Sequence, residues 1–196
     1  MAMNLPVSIS LVLMLLCHPS LARGFGDECN EYTTDIEVAV HRWWDDLPKW
    51  RLWRAQLYAE SRCDPEAVSP VGAKGIAQFM EPTWQEWSKR IGADPYTSPH
   101  VAKWAIPAGA AYMRSLRKSW SGRERPVMAQ HSLAMASYNG GIGSIITAQK
   151  HCDDALLWES IAPCLEQSTG KKNAKETVDY VARIYRYFNL MEASND

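Results

Sequence analysis

Glu60 is the residue whose type and position first suggest chemistry. On a wheel of about 100° per residue, the segment from Trp50 to Cys63 places Trp50, Trp53 and Leu57 on one face. Arg51, Tyr58 and Arg62 fall roughly opposite. Glu60 lands on the apolar side, three residues after Leu57 and seven after Trp53. A carboxylate there must be paired, sit in a cleft, or keep its proton to an unusually high pH. The last of these is what a general acid working near neutrality requires. The plainer alternative is a salt bridge at a helix boundary. Asp64 and Glu66, the nearest other acids, flank Pro65 beyond the helix and read as solvated turn residues.

The elements that must position this acid read as helices throughout, and strand signals are nearly absent. The expected fold class is all-α, in one domain. A first helix is expected from about Asp35 to Trp44, and a second from near Pro48 to just before Asp64-Pro65. The turn-rich stretch Ser69 to Gly75 then leads into a short apolar segment, Ile76 to Met80. Pro82 and Thr83 open a helix that carries Trp84 and Trp87 and ends near Gly92. A longer pattern starts at Ser98-Pro99 and runs through Trp104, Ala108, Tyr112 and Leu116, with Pro107 expected to break or kink it. Pro126 to Ser137 reads as a buried helix ending at Tyr138-Asn139-Gly140-Gly141, and another follows from about Ile142. The C-terminal helix is expected over Lys172 to Asn189. Asn173 and Glu176 form a capping-box-like start there, and Val178, Val181, Ile184 and Tyr185 follow at helical spacing.

The 196 residues suffice for one well-packed domain. A formal net charge of -1, with basic and acidic residues interspersed, argues against a nucleic-acid binder. Met1 to Ala22 contain no Lys, Arg, Asp or Glu, and Val7 to Cys17 is a nearly unbroken apolar run. That run suits the h-region of a signal peptide, with Ser20-Leu21-Ala22 supplying a cleavage site after Ala22. The alternative is an uncleaved anchor, since the n-region has no basic side chain; Leu16 is too large for a lipobox before Cys17. The expected location is exported, in the periplasm or cell envelope. The expected organisation is a signal peptide over 1–22, an N-terminal arm over 23–49 and the main domain over 50–190.

Removing the signal leaves Cys29, Cys63, Cys152 and Cys164, an even number suited to an oxidising compartment. Three connectivities are open, and sequence alone does not choose between them. The preferred pairs are Cys152–Cys164 as a local loop and Cys29–Cys63 tying the arm to the central helix. The spacings fit no compact zinc pattern, so neither a metal nor a cofactor is expected.

Glu60-Ser61 at a helix end is followed at fixed offsets by Ala67, Ser69, Gly72-Ala73, Gly75, Gln78, Met80 and Thr83. Two later blocks are Ala136-Ser137-Tyr138-Asn139-Gly140-Gly141 and Glu176-Thr177-Val178-Asp179-Tyr180-Val181. Together they resemble the signature of the soluble lytic transglycosylases, relatives of goose-type lysozyme, over about Trp50 to Phe188. There are departures. Glu81 follows Met80 where the family usually has proline, Ser137 precedes Tyr138, and Gly140 replaces a commoner alanine.

The resemblance implies a lysozyme-like domain with a substrate groove. It also implies an enzyme that cleaves peptidoglycan between N-acetylmuramic acid and N-acetylglucosamine. Ordinary glycosidases use two carboxylates, whereas this family's chemistry needs one. Glu60 would protonate the glycosidic oxygen, then accept the proton of the muramic 6-hydroxyl as it closes a 1,6-anhydro ring. Tyr138 is expected to orient Glu60 or bond the substrate, and Asn139 to hold an N-acetyl group or cap its helix. Ser69 and Gln78 are expected to bond the sugar or its peptide stem, with Met80 as an apolar floor. Ser61, Gly72, Ala73 and Gly75 support the turn beside the cleft, and Glu176 and Tyr180 brace the C-terminal helix against it. The rival readings are a goose-type lysozyme, which would want a second acid to position water, and a non-catalytic peptidoglycan-binding module. The expected partners are glycan strands, with service to a secretion, conjugation or phage machine permitted, and the expected state is a monomer.

Overall fold

The computed structural model describes residues 24–194; the expected signal peptide over 1–22, with Cys17, lies outside the described residues. Among these the secondary structure is helical, with only two isolated bridges, Val68 to Lys74 and Lys74 to Phe79. A 3-10 turn, Asp27–Tyr32, leads into α1 (Thr33–Trp43), followed by α2 (Trp50–Ser61), α3 (Glu81–Arg90) and α4 (Ala102–Ser119). Then come α5 (Val127–Gly140), α6 (Ile142–His151), α7 (Trp158–Ile161), α8 (Leu165–Thr169) and α9 (Lys171–Ala193).

α2 is the central helix. Every residue from Leu52 to Tyr58 is buried, including Arg54 and Gln56. The two-faced wheel is therefore corrected: Tyr58, expected on the solvated side, packs edge-on beneath Phe25 and Tyr187. Arg54 is tolerated inside because its guanidinium donates to Gly26 O at 2.9 Å and to Asn30 Oδ1 at 2.5 Å. α9 packs along α2, α1 lies on α4, and α4 lies on α5. Gly109 lets α4 approach α2, since a Cβ there would meet the Trp53 ring at 2.6 Å. Trp44 is fully buried and donates its indole N–H to Ala110 O at 2.9 Å, so residues 24–49 are built into the same core.

Four local expectations are corrected. Pro48 lies outside α2, which opens at Trp50 after a non-helical Lys49. Ser98-Pro99 forms a turn, and α4 begins at Ala102. α4 continues through Pro107, which sits early in the helix and forgoes a single ladder bond. Packing of α4 against α1, α3 and α5 compensates for that loss. No capping box forms on α9: it starts at Lys171, and Asn173 donates back to Thr169 O at 3.1 Å. Disulfides join Cys29 to Cys63 and Cys152 to Cys164.

Candidate active site

α2 ends in two consecutive left-handed residues, Arg62 and Cys63, with the Cys63 N–H reaching back to Leu57 O. That ending turns the chain sharply into the segment from Asp64 to Met80, which returns past the last turn of α2. The segment is tied down from several sides. Ser61 Oγ donates to Ile76 O at 2.8 Å, Tyr138 Oη donates to Ala77 O at 2.7 Å, and His100 Nδ1 meets Pro65 O at 2.7 Å. Gly75, with φ of 75°, passes so close to the backbone of Pro99 that a Cβ would lie 1.9 Å from its oxygen. Asp64 and Glu66 are exposed.

Between this segment, the end of α5 and one face of α9 lies a cleft of about 310 Å³. Glu60, Ser69, Ala73, Gln78, Met80, Tyr138, Asn139, Glu176 and Tyr180 all line it. Ser61, Gly72 and Gly75 stand behind or beside the wall and do not line it. A second cavity of about 440 Å³ shares Asn139 and Glu176, and it continues between α5, α6, α8 and the start of α9 with mostly polar walls.

Glu60 opens partly onto the cleft and is otherwise enclosed by protein. Burial pushes its carboxyl up from 4.5 to about 7, against a hydrogen bond from Tyr180 and the charge of Arg183, which both pull it down. Tyr180 Oη donates to Glu60 Oε1 at 2.5 Å and accepts from Gln56 Nε2 at 3.0 Å. Because the amide can only donate in this arrangement, the single phenolic proton points at the acid. With one carboxylate oxygen held by Tyr180, the other is free to carry a proton.

The remaining expected residues serve more local ends. Tyr138 bonds Ala77 O and makes no hydrogen bond to Glu60. Its ring is tilted against Tyr112 at 5.1 Å. Asn139 Oδ1 accepts from Thr177 Oγ1 at 2.8 Å, joining α5 to α9 across the groove floor. Ser69 Oγ accepts from Ala73 N, and Gln78 donates to Ala67 O and Gly75 O, so both shape the turn. Met80 is 44% exposed at the rim, ready for an apolar contact. Glu81, the departure after Met80, faces Lys74 Nζ at 3.8 Å. The Glu60 and Tyr180 arrangement is that of a proton donor held in a polar groove.

A family model described as the transglycosylase SLT domain matches residues 49–160. The chain belongs to the transglycosylase SLT domain family. Relatives of this SLT domain include two proteins named membrane-bound lytic murein transglycosylase F. The one from Maricaulis maris is 32% identical over 170 residues, 77% of this chain and 35% of that protein. The one from Shewanella pealeana is 31% identical over 156 residues, 72% of this chain and 31% of that protein. The chain thus spans about a third of the length of these curated relatives. An inactive mutant of the lytic transglycosylase Slt from Pseudomonas aeruginosa shares the fold, with a TM-score of 0.66 and 21% identity. That match covers 86% of this chain and 25% of that one.

Two groups at the site of this SLT domain escaped sequence reasoning. Arg183 lines the cleft from α9, one helical turn beyond Tyr180, and that i, i+3 spacing was the available signal. Gln56 lies one turn before Glu60 on α2, and a fully buried amide is a signal only once burial is known.

Proposed function

We propose that the protein is a peptidoglycan lytic transglycosylase in which Glu60 is the acid and then the base. The observation that carries this reading is Glu60 itself: a carboxyl open to a groove, shielded enough to hold its proton to about pH 7, and oriented by Tyr180. Near neutrality about half of such groups are protonated, against a few per thousand at an ordinary carboxyl value. Glu60 gives its proton to the oxygen of the glycosidic bond, the C1–O bond breaks, and the sugar leaves with a new hydroxyl. The muramic 6-hydroxyl then adds to C1 and returns its proton to Glu60. The attacking oxygen belongs to the same sugar, so its effective concentration is high and no water need be placed. The family assignment and the names of the relatives support peptidoglycan as the substrate and the cell envelope as the place of action. Export by the N-terminal segment and action as a monomer complete the reading.

A second reading has one observation in its favour. Glu176 lines the same cleft as Glu60, and a second carboxylate could activate water as in a goose-type lysozyme. Mass spectrometry of fragments released from purified peptidoglycan separates the two. Anhydromuropeptides from the wild type and none from Glu60→Gln support the transglycosylase. Hydrated reducing ends that disappear in Glu176→Gln would replace it with the hydrolase. Release of nothing, with binding to the wall intact, would make the domain a binding module.

A further inference from the structure

Arg183 is the one cation among the residues that line the cleft of Glu60. Its guanidinium lies 5.9 Å from the Tyr180 ring centre, and it has no ion pair or hydrogen bond among the described residues. Arg183 is exposed at the cleft, and its charge works against the protonated form in which Glu60 would start the reaction. Arg183 favours the ionised form of Glu60, opposing the burial that lets the group keep its proton. Its placement is explained if the charge has another partner when the groove is filled. The acids of the groove make no ion pair with it: Glu60 is bonded by Tyr180, and Glu176 is not paired with Arg183. The glycan strand proposed as substrate carries peptide stems bearing free carboxylates, and a guanidinium's fork of donors matches a carboxylate in a bidentate pair.

We propose that Arg183 is the groove's anion receptor, binding a carboxylate of the peptide stem on the bound glycan. This rests on the reading of the groove as a glycan site. Pairing there selects strands whose stems are intact and ionised.

The test is binding, measured by calorimetry in the full chain carrying Glu60→Gln so that nothing turns over. The two probes are a soluble two-repeat glycan fragment with free stem carboxylates and the same fragment with those carboxylates converted to primary amides. The acid form should bind about tenfold or more tightly than the amide form, as one charge-assisted pair provides. Adding Arg183→Gln should bring that ratio close to one, and Arg183→Lys should leave it in between. Because each protein is compared with itself across two ligands, a general loss of fold does not mimic the result. A ratio unchanged by Arg183→Gln, or already near one with Arg183 present, would overturn the proposal, as would failure to bind either fragment. If the acid preference is present and depends on Arg183 while the wild-type chain releases no fragments from peptidoglycan, the receptor stands and the cleavage reading falls.

Discussion

Burial holds the Glu60 carboxyl at about 7 in the folded chain against 4.5 in its ordinary state. Ionising it therefore costs the folded protein free energy that the unfolded chain does not incur. The folded value is the raised one, so the favourable protonated state is fully present below about pH 4.5 and is lost as the pH rises through about 7. At about 1.4 kcal/mol per pH unit the loss reaches about 3.5 kcal/mol, an upper limit because the group opens onto the cleft. Glu60→Gln keeps the shape and the oxygen that accepts from Tyr180, and it cannot ionise. The variant and the wild type should be equally stable near pH 4, separate between about pH 5 and 7, and stay apart above that with the variant ahead by about 2–3 kcal/mol. For a domain of this size such a gap is about 5–10 °C in melting temperature. Urea unfolding of both proteins across that range measures the difference directly, and changes in all other titrating groups cancel between the two. A constant offset at every pH, or a wild type that is more stable above pH 7, would refute the reasoning that Glu60 is held by burial as a reluctant acid.

The remaining predictions concern groups around that acid and one far from it. His131 is fully buried against Trp44 with both ring nitrogens unpartnered, and burial lowers its value to about 3. Here the sign is reversed: its contribution is present above about pH 6.5 and is lost as the pH falls toward 3, at up to about 1.4 kcal/mol per unit. His131→Leu should remove that acid-side slope in unfolding experiments; an unchanged slope would show that the ring is hydrated. Gly75→Ala should cost at least about 3 kcal/mol, since it combines positive φ with a collision at Pro99 O, whereas Gly72→Ala, also at positive φ but with open space, should cost about 1. Denaturant midpoints in the reverse order would contradict the packing described. Tyr180→Phe removes a bond that lowers the Glu60 value, so the alkaline limb of the pH–rate profile should move to higher pH while the maximal rate falls about tenfold. A limb displaced toward lower pH would mean that Tyr180 does not donate to the acid.

Much of this was legible from residue spacing because α2 and its following turn are encoded locally. Trp53, Leu57 and Glu60 share a helix side, and Gly75 of the turn marks where backbone must pass closely. What spacing could not convey was enclosure. Tyr58 looked solvated until Phe25 and Tyr187 covered it, and the bond from Gln56 to Tyr180 exists only inside the packed core. Pro107 illustrates the same limit, because a local rule against proline yielded to packing on three neighbouring helices. The short helices between Trp158 and Thr169 are too brief to show a period. Tyr180 was expected to brace its helix, yet its hydroxyl meets the acid itself, a relation that exists only after α9 has docked on α2.

The bond between Glu60 and Tyr180 joins residues 120 positions apart. The acid emerges on α2 before α9, the helix that carries its orienting partner, has been made. A polypeptide halted before α9 would contain all of the segment that the family model matches, yet its carboxyl would have neither Tyr180 to orient it nor the wall that shields it. Until α9 has docked on α2, the carboxyl therefore lacks both its orientation and its shield.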